Sequence, residues 1–112
     1  MIIVALEKLT LEEQFEQVLK NNQKVFFLKN STTCNVSADA FAAYSKLAEQ
    51  LEDETLYYLN VQEARPLSNA IAEQFQVKHE SPQAFLFVDG ELKWHASHWT
   101  LTYDELKKQW EA

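Results

Sequence analysis

The chain has 112 residues, of which 46% are hydrophobic, and a formal net charge of -7. This length fits one domain over residues 1–112, which can bury a core without crosslinks. The acidic charge repels phosphate backbones, and a single glycine excludes the Gly-rich loops that cradle phosphates, so we expect no nucleic-acid partner. Because no stretch approaches the roughly 20 apolar residues of a membrane span, and no basic segment precedes the apolar N-terminus, we expect a cytoplasmic protein with no membrane partner. The sequence predicts no particular oligomeric state.

Strands and helices alternate through the first two thirds of the chain. Residues 2–5 are predicted to form a short apolar strand, and Thr10 begins a helix through a capping box. Residues 25–29 are continuously apolar until a final lysine, which is typical of a buried parallel strand. A second helix, a strand over 55–61 and a third helix that begins at Pro66 complete this part.

The pattern changes in the last third of the chain, where a hairpin replaces the alternation. Residues 84–88 and 91–97 are predicted strands, and Asp89-Gly90 between them is a strong two-residue turn. Thr102 begins a last helix through a second capping box. The resulting order, β-α-β-α-β-α-β-β-α, is that of the thioredoxin-like fold. It is an α/β class in which crossover helices make the early strands parallel and the hairpin makes the last pair antiparallel, giving a mixed central sheet flanked by helices.

Cys34 is the only cysteine, and it lies between the buried strand and the second helix, which is predicted to begin at about Ala38. Free N–H groups and a partial positive charge at a helix start stabilise a thiolate, the nucleophilic form of cysteine, so we expect a lowered pKa. Ser37 follows one turn later, where its hydroxyl can face the sulfur and lower the pKa further. Because serine cannot form a disulfide, an outside thiol must resolve any mixed disulfide on Cys34. By position alone, a small buried hydrophobe is an equally good interpretation of this cysteine.

Two segments resemble the monothiol bacilliredoxin family (YtxJ type) of the thioredoxin-like superfamily. They are Thr33-Cys34-Asn35-Val36-Ser37, which is similar to the family's active-site segment, and Ser81-Pro82-Gln83, which is similar to its cis-proline loop. The likeness extends from about residue 10 to residue 110. Asn35 stands where the family has proline, which leaves a backbone N–H in the first helical turn.

The resemblance implies a specific activity. Bacillithiol is a low-molecular-weight thiol that forms mixed disulfides with protein cysteines, and bacilliredoxins remove it. Cys34 would attack the bacillithiol sulfur, free the protein thiol and carry the bacillithiol. Bacillithiol would then be a co-substrate, S-bacillithiolated proteins the partners, and no bound cofactor would be needed. The residues expected to contact the substrate or the bound thiol are Thr32, Thr33, Asn35, Ser81 and Pro82.

Two other functions stay open. A monothiol glutaredoxin-like carrier of an iron–sulfur cluster would resemble Cys-Gly-Phe-Ser at the site, and Asn35-Val36 does not match Gly-Phe. A non-enzymatic adaptor of the same fold would leave Cys34 incidental.

Several nearby residues have two interpretations. The resemblance implies a cis Ser81–Pro82 bond packed beside Cys34, although by base rate Pro82 could be an ordinary trans proline. Lys29 could attract a thiolate or simply end a strand. His79 could tune the thiol or lie in solvent. His95 and His98 are not spaced on one helical face, so we expect no metal site.

Overall fold

The computed structural model describes residues 4–112. Its strands are β1 (Leu6–Lys8), β2 (Lys24–Asn30), β3 (Leu56–Asn60), β4 (Gln83–Val88) and β5 (Glu91–Ser97). Its helices are α1 (Glu12–Asn21), α2 (Asn35–Gln50), α3 (Arg65–Phe75) and α4 (Tyr103–Glu111), and a short 3-10 turn, His98–Thr100, precedes α4. The predicted order of elements and the thioredoxin-like α/β fold are confirmed. None of the helices described is long and apolar enough to cross a membrane.

The five strands form one sheet in the order β1-β3-β2-β4-β5. β2 lies at its centre, parallel to β3 and antiparallel to β4. The predicted hairpin joins β4 to β5, and both of its turn residues, Asp89 and Gly90, have positive φ angles of 53° and 78°. Asp and Gly are the residues that tolerate this left-handed conformation in a two-residue hairpin turn.

The core lies on both faces of β2, whose residues are buried from Val25 to Asn30. Phe27 packs against α1 and α3, while Phe26 and Leu28 pack against α2 and α4. This alternation follows from the two-residue period of a strand, and it explains why β2 reads as a continuous apolar run.

The N-terminal boundaries differ from the predictions. Residues 2 and 3 of the strand predicted at 2–5 lie outside the described residues, and Val4 and Ala5 precede β1 rather than belonging to it. β1 is an edge strand, and its extent follows its ladder with β3, in which Leu6 pairs with Leu56, rather than the apolar run. Val4 is 54% exposed, so apolar character alone does not bury this segment.

Three helix starts also differ. Leu11, not Thr10, is the N-cap of α1, because Gln14 Oε1 accepts from the N–H groups of both residues at 3.0 and 2.9 Å. α2 begins at Asn35, earlier than expected, because the polar residues of its first turn hide the helical apolar period. α3 begins one residue before Pro66. The prediction for α4 is confirmed, since Thr102 Oγ1 accepts from Glu105 N at 3.2 Å.

Candidate functional site around Cys34

Cys34 is the N-cap residue of α2 and is partly exposed. Its backbone is extended, with φ -115° and ψ 126°, and its carbonyl accepts from Ala38 N at 3.1 Å to close the first turn. The pKa of the thiol is lowered chiefly by the backbone N–H of Ser37, with a smaller contribution from that of Val36. Partial desolvation opposes the effect without reversing it. The helix start therefore favours the thiolate, as the sequence predicts.

Ser37 lies on the first turn of α2 and is completely buried. Its hydroxyl lies near enough to the thiol to lower the pKa, as the smallest of the contributions. Even so, no atom among residues 4–112 lies at both the distance and the angle of a hydrogen bond from Ser37 Oγ. A hydrogen bond requires the donor to point at its acceptor, and the Ser37 hydroxyl is not held in that orientation. The hydroxyl is thus available to the sulfur without being fixed to it.

The loop between β2 and Cys34 is held by Gln62, which follows β3. Gln62 Oε1 accepts from Thr32 N at 3.2 Å, and Gln62 Nε2 donates to Ser31 Oγ at 2.9 Å and to Thr33 Oγ1 at 3.3 Å. Thr32 and Thr33 are exposed, so both are accessible to a ligand. Gln62 is not among the site residues predicted from the sequence. The signal available was a polar side chain directly after a buried strand, at the sheet edge where the thiol lies.

The Ser81–Pro82 peptide bond is cis, which confirms the prediction. Pro82 is buried, and its carbonyl accepts from His98 N at 3.0 Å, while Ser81 is half-buried. The next residue, Gln83, pairs with Lys29 near the end of β2. The proline segment therefore lies at the same edge of the sheet as the loop that leads to Cys34.

Asn35, the first residue of α2, is exposed beside the thiol. The roles predicted for it, and for the threonines, Ser81 and Pro82, stay predictions. What the fold brings together is the start of α2, the β2–α2 loop and the start of β4.

Lys29 is fully buried, and its side chain extends into the layer of α3. Its Nζ donates to the carbonyl of Ser68 at 2.9 Å and lies 3.2 Å from His79 Nδ1 and 5.5 Å from the centre of the Phe85 ring. Desolvation lowers the pKa of Lys29 to about 8. Lys29 and His79 contact each other, whereas the hydrogen bonds that lower the pKa of Cys34 come from Ser37 and Val36.

Histidines and acidic residues elsewhere do not form a metal cluster within the described part of the chain, residues 4–112. The pKa of Glu80, just before the proline segment, is lowered mainly by a hydrogen bond from Ser97 and also by nearby His98. Glu80, Ser97 and His98 thus lie close to one another beside the proline segment.

Solved structures define the class of this protein. One, described as a candidate oxidoreductase with a thioredoxin fold, is 46% identical, covers 93% of this chain and 92% of its own, and superposes with a TM-score of 0.87. Two others share the fold at lower identity. A structure from work on the thiol resolving mechanism in yeast mitochondrial 1-Cys peroxiredoxin is 24% identical, with coverage of 93% and 92% and a TM-score of 0.74. A mutant thioredoxin from Halobacterium salinarum NRC-1 is 21% identical, with coverage of 93% and 86% and a TM-score of 0.75. The two structures of lower identity show the fold alone, and the 46% identical one supports the class of thioredoxin-fold oxidoreductases, with which the single thiol at a helix start agrees.

The family is narrower than that class. The model of the family described as monothiol bacilliredoxin BrxC matches residues 7–106. The chain therefore belongs to the monothiol bacilliredoxin family, as the resemblance in its two motifs predicts.

Proposed function

We propose that this protein removes bacillithiol from S-bacillithiolated proteins and carries it on Cys34 as a mixed disulfide. The observation that carries the proposal is a single thiol at the start of α2, with a lowered pKa and with serine where a second cysteine would resolve the intermediate. Membership of the monothiol bacilliredoxin family supports bacillithiol as the thiol in this proposal. The proposed setting is the cytoplasm, where thiols are kept reduced.

The first step is an exchange of one disulfide for another. The Cys34 thiolate attacks the bacillithiol sulfur of the modified protein, the bond to the protein sulfur breaks, and the protein leaves as a thiolate that takes a proton from water. A sulfur–sulfur bond between Cys34 and bacillithiol forms in its place. Ser37 N–H and Val36 N–H, which stabilise the thiolate, raise the fraction of Cys34 that is ready to attack.

The second step restores the enzyme. No second cysteine exists in the chain, so the thiolate of a free bacillithiol attacks the carried bacillithiol sulfur. Bacillithiol disulfide leaves, and Cys34 returns as a thiolate. No electrons are gained or lost in either exchange, because one disulfide is made for each that is broken. A separate reductase must regenerate bacillithiol from its disulfide.

Intact-mass spectrometry of the protein mixed with an S-bacillithiolated protein tests the proposal. We expect a species heavier by one bacillithiol, lost again when free bacillithiol is added, together with release of the reduced target. Cys34→Ser should show neither. If wild type and Cys34→Ser release the target equally fast, the activity does not belong to this site, and the adaptor interpretation replaces it.

A further inference from the structure

The loop that presents Cys34 is fastened by one side chain from another part of the chain. Gln62 uses both ends of its carboxamide on residues 31–33: the oxygen on the N–H of Thr32, the nitrogen on the hydroxyls of Ser31 and Thr33. The two hydroxyls also lie 3.4 Å from each other, which closes a small ring of hydrogen bonds. Gln62 has no role in the chemistry proposed above.

The backbone that carries Gln62 is itself fixed to the end of β2. Val61 N donates to Asn30 O at 2.8 Å, and Asn30 Nδ2 donates to Asn60 Oδ1 at 2.9 Å. The turn that contains Gln62 is closed by Glu63 N, which donates to Asn60 O at 2.9 Å. Because the backbone at Gln62 is fixed in this way, only the side chain of Gln62 has to be ordered when it holds the neighbouring loop.

The position of this loop decides where the thiol lies. Cys34 follows it directly, and the N–H groups of Val36 and Ser37 stabilise the thiolate only while Cys34 stays at the N-cap. A loop that samples other conformations moves the sulfur away from those donors for part of the time. By fixing the position of Cys34, the loop therefore also affects the fraction of Cys34 that is present as thiolate.

We propose that Gln62 is a positioning residue for Cys34: its carboxamide fixes the Ser31–Thr33 loop so that the thiol stays at the start of α2. The proposal deepens the proposed function and rests on it for its biological purpose, although its effect on the thiol can be measured without bacillithiol. Gln62 acts through the loop and does not touch the reacting sulfur in any hydrogen bond described.

The test is the replacement Gln62→Met, which keeps the length of the side chain and removes all three hydrogen bonds. We expect alkylation of Cys34 by iodoacetamide at pH 7 to slow by about three- to tenfold, since hydrogen bonds of ordinary net strength no longer favour one loop conformation. The rate against pH should shift to a higher midpoint and reach the same limit at high pH, because the thiolate itself is unchanged. Exchange of the Thr32 amide proton should also accelerate. Gln17→Met, on the exposed surface of α1, is the matched control and should leave the rate, midpoint and exchange as in wild type.

A second variant approaches the same contacts from the loop. Ser31→Ala with Thr33→Val leaves Gln62 in place, removes two of its three partners, and should slow alkylation in the same direction. When Gln62→Met is added to this double variant, the further decrease in alkylation rate should be smaller than the decrease that Gln62→Met causes in wild type, since the two changes remove the same contacts. If both variants alkylate with the wild-type rate and midpoint, the positioning role is wrong. If Gln62→Met slows alkylation while wild type fails to remove bacillithiol from any target, the positioning role stands and the proposed substrate is wrong.

Discussion

Burial of Lys29 should make the stability of this protein depend on pH in a direction that is unusual for a lysine. The side chain is enclosed among Ser68, His79 and Phe85, and desolvation lowers its pKa from 10.5 to about 8. The native state therefore loses the lysine proton at lower pH than the unfolded chain does. Between about pH 8 and 10.5 the unfolded state binds more protons, so this residue makes the free energy of unfolding rise with pH.

The size of the effect follows from the shift. A shift from 10.5 to about 8 corresponds to at most about 3 kcal/mol of cost for the charged form. The exposed side chain of His79 lies 3.2 Å from the ammonium, so solvent screens part of that cost. We therefore expect a change of about 1–2 kcal/mol between pH 7 and pH 10.

Lys29→Met isolates this effect, because methionine fills a similar volume and does not titrate. Urea unfolding of wild type and variant at pH 7, 8, 9 and 10 gives the difference in unfolding free energy at each pH. Buried Tyr44, whose pKa is raised, titrates in both proteins and cancels in the difference. We expect the unfolding free energy of wild type to increase relative to that of the variant as the pH rises. Lys107→Met, on the exposed face of α4, is the control for loss of one surface lysine.

A constant difference from pH 7 to pH 10 would refute the reasoning. It would mean that the Lys29 ammonium reaches water in the native state, and that its contacts with Ser68 and His79 do not exclude solvent. The absolute difference at pH 7 is a weaker measure, because it also contains the lost hydrogen bond to the Ser68 carbonyl.

Four further substitutions test the site and its helices. Ser37→Ala should leave stability to urea unchanged or raise it, since the buried hydroxyl has no hydrogen-bond partner among residues 4–112, and a clear loss of stability would contradict that reasoning. The same substitution should slow alkylation of Cys34 at pH 7, because the hydroxyl lowers the pKa of the thiol. Ser37→Cys should release carried bacillithiol without an added thiol and form an internal disulfide, visible by intact mass. Asn35→Pro should raise stability by about 0.4–1 kcal/mol without moving the alkylation midpoint, because the extended backbone of Cys34 already suits a following proline. Thr102→Ala should lower stability by about 0.5–2 kcal/mol through loss of the α4 cap.

The fold was predictable because its signals are local and repeated. β2 reads as a continuous apolar run, the Asp89-Gly90 turn marks the hairpin, and Thr102 marks the start of α4. Where the predicted start of α1 was wrong, a hydrogen bond to a residue outside the predicted motif determined where the helix begins. The N-cap of α1 lies at Leu11 because Gln14 reaches back to it.

Prediction of the site stopped at residues whose partners are distant in sequence. Cys34 could be found because a thiol between a strand and a helix has a local meaning. Gln62 meets Ser31 across 31 positions and Lys29 meets Ser68 across 39, and no periodicity encodes such contacts. A buried lysine also departs from the usual partition of charged residues, so nothing in the strand pattern indicates that Lys29 is enclosed.

The sheet topology explains why three separate segments serve one thiol. β2 runs parallel to β3 and antiparallel to β4, so the end of β2, the end of β3 and the start of β4 meet at one edge. The loop to Cys34, the turn bearing Gln62 and the cis-proline segment all leave from that edge. An enzyme with two thiols can stabilise one of its states by an internal disulfide, whereas a chain with one cysteine has only non-covalent contacts with which to set the balance between thiol and thiolate. In a monothiol protein of this fold, the hydrogen bonds that keep the sulfur at the helix start therefore become a principal means of setting its reactivity.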